Sequence, residues 1–129
     1  MFANGNFLRQ ALLLDAAASG SMGLVMAAAP GFVAGLLGLP AGFVLAIGVF
    51  FVVFALSLLA LRSYPLPALV WLVVLGNFAW SVASVAILFT DLIAPNTFGI
   101  VVIIAQAVAV AVFAELEMIG QRRQSPAVA

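Results

Sequence analysis

The sequence predicts an all-α polytopic membrane protein, with a single four-helix transmembrane domain over residues 1–129 whose helices pack as a bundle. Hydrophobic residues make up 67% of the chain and charged residues only 6%, which leaves no stretch able to form a water-soluble domain with a polar exterior. Four long apolar runs each approach the roughly 20 residues that a helix needs to cross a membrane. All four arginines lie at the ends of these runs that would meet the same side of the membrane.

Helix breakers separate the four predicted spans. Pro30 ends the first span, because proline disfavours a helical residue before it and lacks the backbone donor that a continuing helix uses. A turn from Ser63 to Pro67 separates the second span from the third. Before the fourth span, Asn96 or Thr97 is expected to cap the helix. The predicted spans cover about residues 9–29, 41–62, 66–90 and 97–120.

Residues 31–39 connect the first two spans and are unusually apolar for a loop. They follow a proline suited to the first turn of a helix and end near Gly38 and Pro40. This pattern predicts a short helix lying in the membrane interface. A re-entrant segment is the alternative, although irregular backbone exposed to lipid is costly.

The positions of the cations predict the orientation of the chain. Arg9 precedes the first span, Arg62 follows the second, and Arg122 and Arg123 follow the fourth, whereas the opposite loops carry only Asp91. Because arginine and lysine are enriched in cytoplasmic loops, both termini are expected in the cytoplasm.

The composition also excludes several kinds of chemistry. Histidine and cysteine are absent, which excludes disulfides, thiolate chemistry and ordinary zinc, copper or haem sites. A formal net charge of zero without any basic run argues against nucleic-acid binding. We therefore expect no metal and no cofactor. No nucleophile and base pair is visible, so the prediction is a protein that is not an enzyme.

Polar side chains inside the spans form the candidate intramembrane site. At helical spacing, Asp15 and Ser19 share a face of the first span and Asn77 and Ser81 share a face of the third. Gln106 and Glu117 share a face of the fourth span. Glu115 points away from that face, so we expect one glutamate of the pair Glu115 and Glu117 to face the bundle and the other to reach the headgroups. The indole N–H of Trp80 needs a partner within the bundle. The candidate set is Asp15, Ser19, Asn77, Trp80, Ser81, Gln106, Glu115 and Glu117.

Asp15 is the most informative of these residues. A central acid costs about 2.5–3.5 kcal/mol on the insertion scale, whereas each large aliphatic residue returns only about 0.3–0.6 kcal/mol. Asp15 must therefore face protein, pair with another group, or be protonated. Two roles stay open: a structural bond to Asn77, Trp80 or Ser81, or a carrier of protons or cations.

Small residues on the first span predict a close helix contact. Ala16, Gly20 and Gly23 are spaced four and three residues apart, so they share a helix face and permit the backbone of a neighbouring helix to approach.

Four segments, LLLDAAASGSMGL, LLGLP, LGNFAWSVAS and AVAVFAELEMIG, together make the chain resemble small four-helix inner-membrane proteins of bacteria. The resemblance implies a bacterial inner-membrane location and directs attention to Asp15, Asn77, Trp80 and Glu115. It implies no substrate and no mechanism.

Two classes of function remain. The first is a non-enzymatic accessory or scaffold subunit, or a helix bundle that binds lipid or another hydrophobic molecule. The second is an oligomeric proton- or ion-coupled transporter or channel that uses Asp15. The expected partners are membrane lipid and either further copies of the chain or a larger membrane-protein complex.

Overall fold

The structure is a computed structural model that describes residues 2–124, with the side chains of residues 6–124. It is 88% helical, and no strand occurs in the described part. Residue 1 and residues 125–129 of the predicted domain lie outside the described residues. The helices are α1 (Phe2–Ala28), α2 (Pro30–Leu37), α3 (Ala41–Ser63), α4 (Pro67–Ala86, continued by a 3₁₀ turn at Ile87–Phe89) and α5 (Thr97–Gln124).

The predicted all-α class is confirmed, and four helices are long and apolar enough to cross a membrane. The middle spans agree closely with their predicted bounds, because prolines stand at their starts. The outer two helices are longer than predicted: α1 begins at Phe2 rather than near residue 9, and α5 continues to Gln124. Hydropathy marks only the apolar part of a helix. Gln and Arg are good helix formers, so α5 continues beyond its apolar run to Gln124.

The helix α2 occupies most of the segment predicted to lie in the membrane interface. Pro30 occupies its first turn, and Gly38 ends it in the left-handed conformation with φ of 75°. The N–H groups of Gly38 and Leu39 both reach the carbonyl oxygen of Ala34, at 2.8 Å and 3.0 Å, which satisfies the end of the helix as glycine C-caps commonly do. Its position relative to the membrane stays a prediction.

Asn96 joins α2 to the start of α5. Its side-chain oxygen accepts from the N–H of Gly99 at 2.7 Å, so it caps α5 as predicted. Its side-chain nitrogen donates to the carbonyl oxygen of Leu36 at 3.0 Å, and its backbone N–H donates to that of Leu37 at 3.0 Å. One residue therefore holds the end of α2 against α5.

The arginines gather at one end of the molecule, hereafter the arginine end. Nε of Arg62 donates to the carbonyl oxygen of Arg9 at 3.2 Å, and the guanidinium of Arg123 lies 4.7 Å from the centroid of the Phe7 ring. A buried hydrophobic cluster lies toward the same end and joins α1, α3 and α4. Its members are Leu8, Leu12, Ala16, Ala55, Leu58, Leu61, Val70 and Val74.

The helices α1 and α3 approach closely through glycine. A Cβ added to Gly23 would lie 2.8 Å from the carbonyl oxygen of Gly48, and one added to Gly48 would lie 2.8 Å from the backbone nitrogen of Ala27. A Cβ at Gly20 would lie 3.2 Å from the Cβ of Ala55, and Ala16 is buried. The small-residue face of α1 is therefore packed against α3 along its length.

Candidate functional site

Two acidic side chains from different helices meet at one amide. The Nδ2 atom of Asn77 on α4 donates to Oδ2 of Asp15 on α1 at 2.9 Å and to Oε1 of Glu117 on α5 at 2.9 Å. Because the two carboxyl groups accept from the same amide nitrogen, they lie side by side. Ser19, one turn along α1, donates to Oδ1 of Asp15 at 3.1 Å. We call Asp15, Asn77 and Glu117 the carboxyl cluster.

The carboxyl cluster is buried within the protein. Asp15 is 1% exposed, Glu117 is 0% exposed and Asn77 is 5% exposed. Glu117 Oε2 receives no hydrogen bond from an N–H or O–H donor among the described residues. The side chains of Arg62 and Arg123 contact groups at the arginine end instead of these acids.

Close packing between α1 and α5 explains why Glu117 faces inward. A Cβ on Gly120 would lie 2.8 Å from Cα of Leu8, so the two backbones nearly touch there. Glu117 precedes Gly120 by three residues and Asp15 follows Leu8 by seven, so each acid shares a face with its contact residue. The glycine contact therefore directs both acids toward the same space.

Glu115 and Glu117 lie in different environments. Glu117 lies inside the protein, and Glu115 is exposed on the outer surface of α5, away from the carboxyl cluster. Gln121, which the sequence reasoning missed, is buried at 1% exposure. Its position four residues after Glu117 places it on the same helix face, and that spacing was the available signal.

The other predicted polar residues join α4 to α5 without reaching Asp15. The indole Nε1 of Trp80 donates to Oε1 of Gln106 at 3.1 Å, and the hydroxyl of Ser81 donates to the carbonyl oxygen of Ala107 at 2.8 Å. Of the three partners predicted for Asp15, only Asn77 bonds to it. Trp80 also stacks on Phe50, with ring centroids 5.6 Å apart.

A cavity of about 860 Å³, hereafter the large cavity, opens between the helices beyond the carboxyl cluster. Sequence reasoning did not predict it, because it depends on how far apart α1 and α3 stand from α4 and α5. Its walls come from α1 to α5 and from Ile93 in the loop before α5. The lining includes Ala18, Met22, Met26, Leu36, Leu37, Ile47, Phe51, Trp80, Ser84, Val102 and Gln106.

A second cavity of about 160 Å³, hereafter the small cavity, lies next to the large one. The two cavities share part of their walls, including Ala18, Met22 and Trp80. Ser19 and Asn77 also line the small cavity, and both bond to Asp15. The small cavity therefore lies between the large cavity and the carboxyl cluster.

The fold and these sites define a multi-pass integral membrane protein with a polar cluster and an apolar interior space. No protein-family model, curated protein or solved structure matches this chain.

Proposed function

We propose that this protein is a non-enzymatic membrane protein that binds a hydrophobic molecule, such as a lipid acyl chain, in the large cavity. The observation that carries the proposal is the cavity itself, at about 860 Å³. This volume lies in the range of about 300–1,000 Å³ typical of small-molecule sites.

The cavity lining favours a neutral and mainly apolar ligand. Its walls are aliphatic and aromatic, and no charged side chain among residues 6–124 lines it. The few polar groups are hydroxyls, the indole of Trp80 and the amide of Gln106. Trp80 and Gln106 bond to each other, which leaves little hydrogen-bonding capacity for a charged headgroup. A charged ligand would lose its hydration without compensation.

The setting of the cavity also supports this function. Side chains of α2 and Leu39 close part of its wall, and α2 is held in place by Asn96. The cavity is only partly enclosed, so a lipid acyl chain can enter it from the bilayer. We propose that the arginine end lies on the cytoplasmic side of a bacterial inner membrane, because the cations gather at that end.

Fluorescence quenching by brominated lipid tests the proposal. The chain has two tryptophans, so Trp71→Phe leaves Trp80, on the cavity wall, as the single reporter. In nanodiscs containing a phospholipid brominated along its acyl chain, Trp80 fluorescence should be quenched because bromine quenches an indole that it touches.

Two neighbouring substitutions separate cavity binding from ordinary lipid contact. Ala18 lines both cavities, whereas Ala17 lines neither, and both are exposed positions of α1. In the Trp71→Phe background, Ala18→Phe fills part of the cavity and should reduce quenching and the lipid retained in native mass spectrometry. Ala17→Phe should leave both unchanged. Equal quenching and equal retained lipid in the two variants would show that the ligand does not occupy the cavity.

A further inference from the structure

We propose that Asp15 and Glu117 form a proton-binding site, in which the two carboxyl groups hold one proton between them. The inference is independent of the cavity ligand, because neither acid lines either cavity. It rests on the geometry of the carboxyl cluster and on the groups that surround it.

The first argument is the shared donor. Asn77 uses both hydrogens of one amide nitrogen for the two acids, with both N···O distances at 2.9 Å. This arrangement keeps the carboxyl groups side by side in a buried site. Two negative charges at such separation repel each other strongly where water is excluded, and two carboxyls sharing a site resolve this by retaining one proton.

The second argument is the lack of a compensating cation. On α3, Arg62 donates to the backbone of Arg9, and on α5 Arg123 lies over the Phe7 ring. Arg9 and Arg122 are exposed, and α4 contributes no charged residue. Glu115, the remaining charged residue of α5, is exposed too. Within residues 6–124, therefore, no arginine neutralises the two acids.

The third argument is the unsatisfied oxygen. Glu117 Oε2 is buried and receives no hydrogen bond from the described N–H and O–H donors. Buried carboxyl oxygens without a donor are costly. A proton on either carboxyl group supplies an O–H donor between Asp15 and Glu117, which both accept from the same amide nitrogen. A single proton thus removes both the charge repulsion and part of the missing hydrogen bonding.

The site suits a proton better than a metal ion. Groups of three or more acidic, histidine or cysteine side chains that could hold a metal are absent from the described residues. Two carboxyls and one amide offer few ligands, whereas Ca²⁺ takes six to eight oxygen ligands. A monovalent cation between the carboxyls would be an alternative occupant, and the experiment distinguishes it.

Infrared spectroscopy of the wild-type chain tests the proposal directly. A protonated carboxyl gives a C=O stretch apart from that of a carboxylate, and the chain has only four acidic side chains. We expect this band in the detergent-purified protein at neutral pH, in potassium and in sodium buffer alike. Because the proton is shared, carbon-13 labelling of aspartate and of glutamate should each shift the band.

Substitutions complete the test. Glu115→Gln removes an exposed acid of the same helix and should leave the band unchanged. Asp15→Asn with Glu117→Gln removes both carboxyls while keeping their size, and should abolish it. Absence of the band from the labelled wild type would overturn the proposal, as would its replacement by a carboxylate signal that depends on sodium. The labelling result needs no substitution, so it stands even where the double variant fails to fold.

Discussion

At the residue scale, a single amide determines how two acids are accommodated inside the protein. Each acid placed centrally in a span costs about 2.5–3.5 kcal/mol on the insertion scale, and the described arginines do not pair with Asp15 or Glu117. Asn77 donates to both acids, and Ser19 donates to Asp15. The hydrogen bonds join α1, α4 and α5 at one point. These bonds predict a structural role for Asp15 that does not depend on any part in proton movement.

Substitutions at Asp15 measure this structural role. Asp15→Asn keeps the shape and an oxygen acceptor, whereas Asp15→Leu leaves hydrogens of Asn77 and Ser19 without their acceptor. We expect Asp15→Leu to lower the free energy of unfolding by about 1–3 kcal/mol, the cost of unsatisfied buried groups, and Asp15→Asn to lower it less. Thermal unfolding in detergent gives the measurement, with exposed Asp91→Leu as control. Equal stability of all variants would remove the structural role.

Proton flux in liposomes decides the other role predicted for Asp15. A carrier must bind and release a proton, so Asp15→Asn should fold yet lose flux that the wild type shows. If the wild type carries no flux while Asp15→Asn is stable and Asp15→Leu is not, the carrier role is excluded. The structural role would then be the one that remains.

At the element scale, glycine positions determine which helices touch. Gly23 and Gly48 face each other across α1 and α3 so closely that an added Cβ would meet backbone atoms at 2.8 Å. Gly76, in the middle of α4, has nothing within 4 Å of such a Cβ. Helix association in membranes depends on packing at such contacts. Gly23 and Gly48 therefore permit the close contact of α1 with α3, whereas Gly76 makes no such contact.

Alanine substitution at these glycines should have opposite effects. Gly76→Ala improves helix propensity by up to about 1 kcal/mol without a clash, so stability should be unchanged or higher. Gly23→Ala gains the same propensity but forces α1 from α3, and we expect a net loss of about 1–3 kcal/mol, as for other overpacked cores. Thermal unfolding of the two variants in one detergent makes the comparison. A Gly23→Ala protein as stable as Gly76→Ala would show that this contact is loose.

At the scale of the whole molecule, the contacts give each end a distinct character. The arginines and the largest buried hydrophobic cluster occupy one end. Toward the other end, α2 packs on α3 through a second apolar cluster of Val33, Ala34, Leu37 and Val44, and Val102 of α5 packs against this cluster. The large and small cavities lie between these two ends. The orientation that we propose places the arginine end in the cytoplasm.

Cysteine labelling of intact cells tests the orientation. The chain has no cysteine, so single cysteines at Ser63, near the arginine end, and at Leu92, in the loop before α5, report on opposite ends. Ser63 is exposed, and Leu92 is 78% exposed and outside the hydrogen bonds of Asn96. With cytoplasmic termini, a membrane-impermeant thiol reagent should label only the Leu92→Cys variant. Labelling only of Ser63→Cys would invert the orientation, and permeabilised cells provide the control in which both react.

The sequence alone determined the class of this protein and the order of its helices. Spanning length and hydropathy require no knowledge of neighbours. Pro30 and Pro67 restrict their own backbone, and Asn96 caps α5 through the N–H of Gly99, three residues along the chain, so local chemistry was sufficient. Tertiary structure decided the rest. Periodicity placed Glu115 and Glu117 on different faces, but only the contact of Gly120 with Leu8 turned Glu117 toward Asp15. The cavity depends on the distance between helix pairs, which no local pattern encodes, because membrane helices are apolar on lipid-facing and protein-facing sides alike.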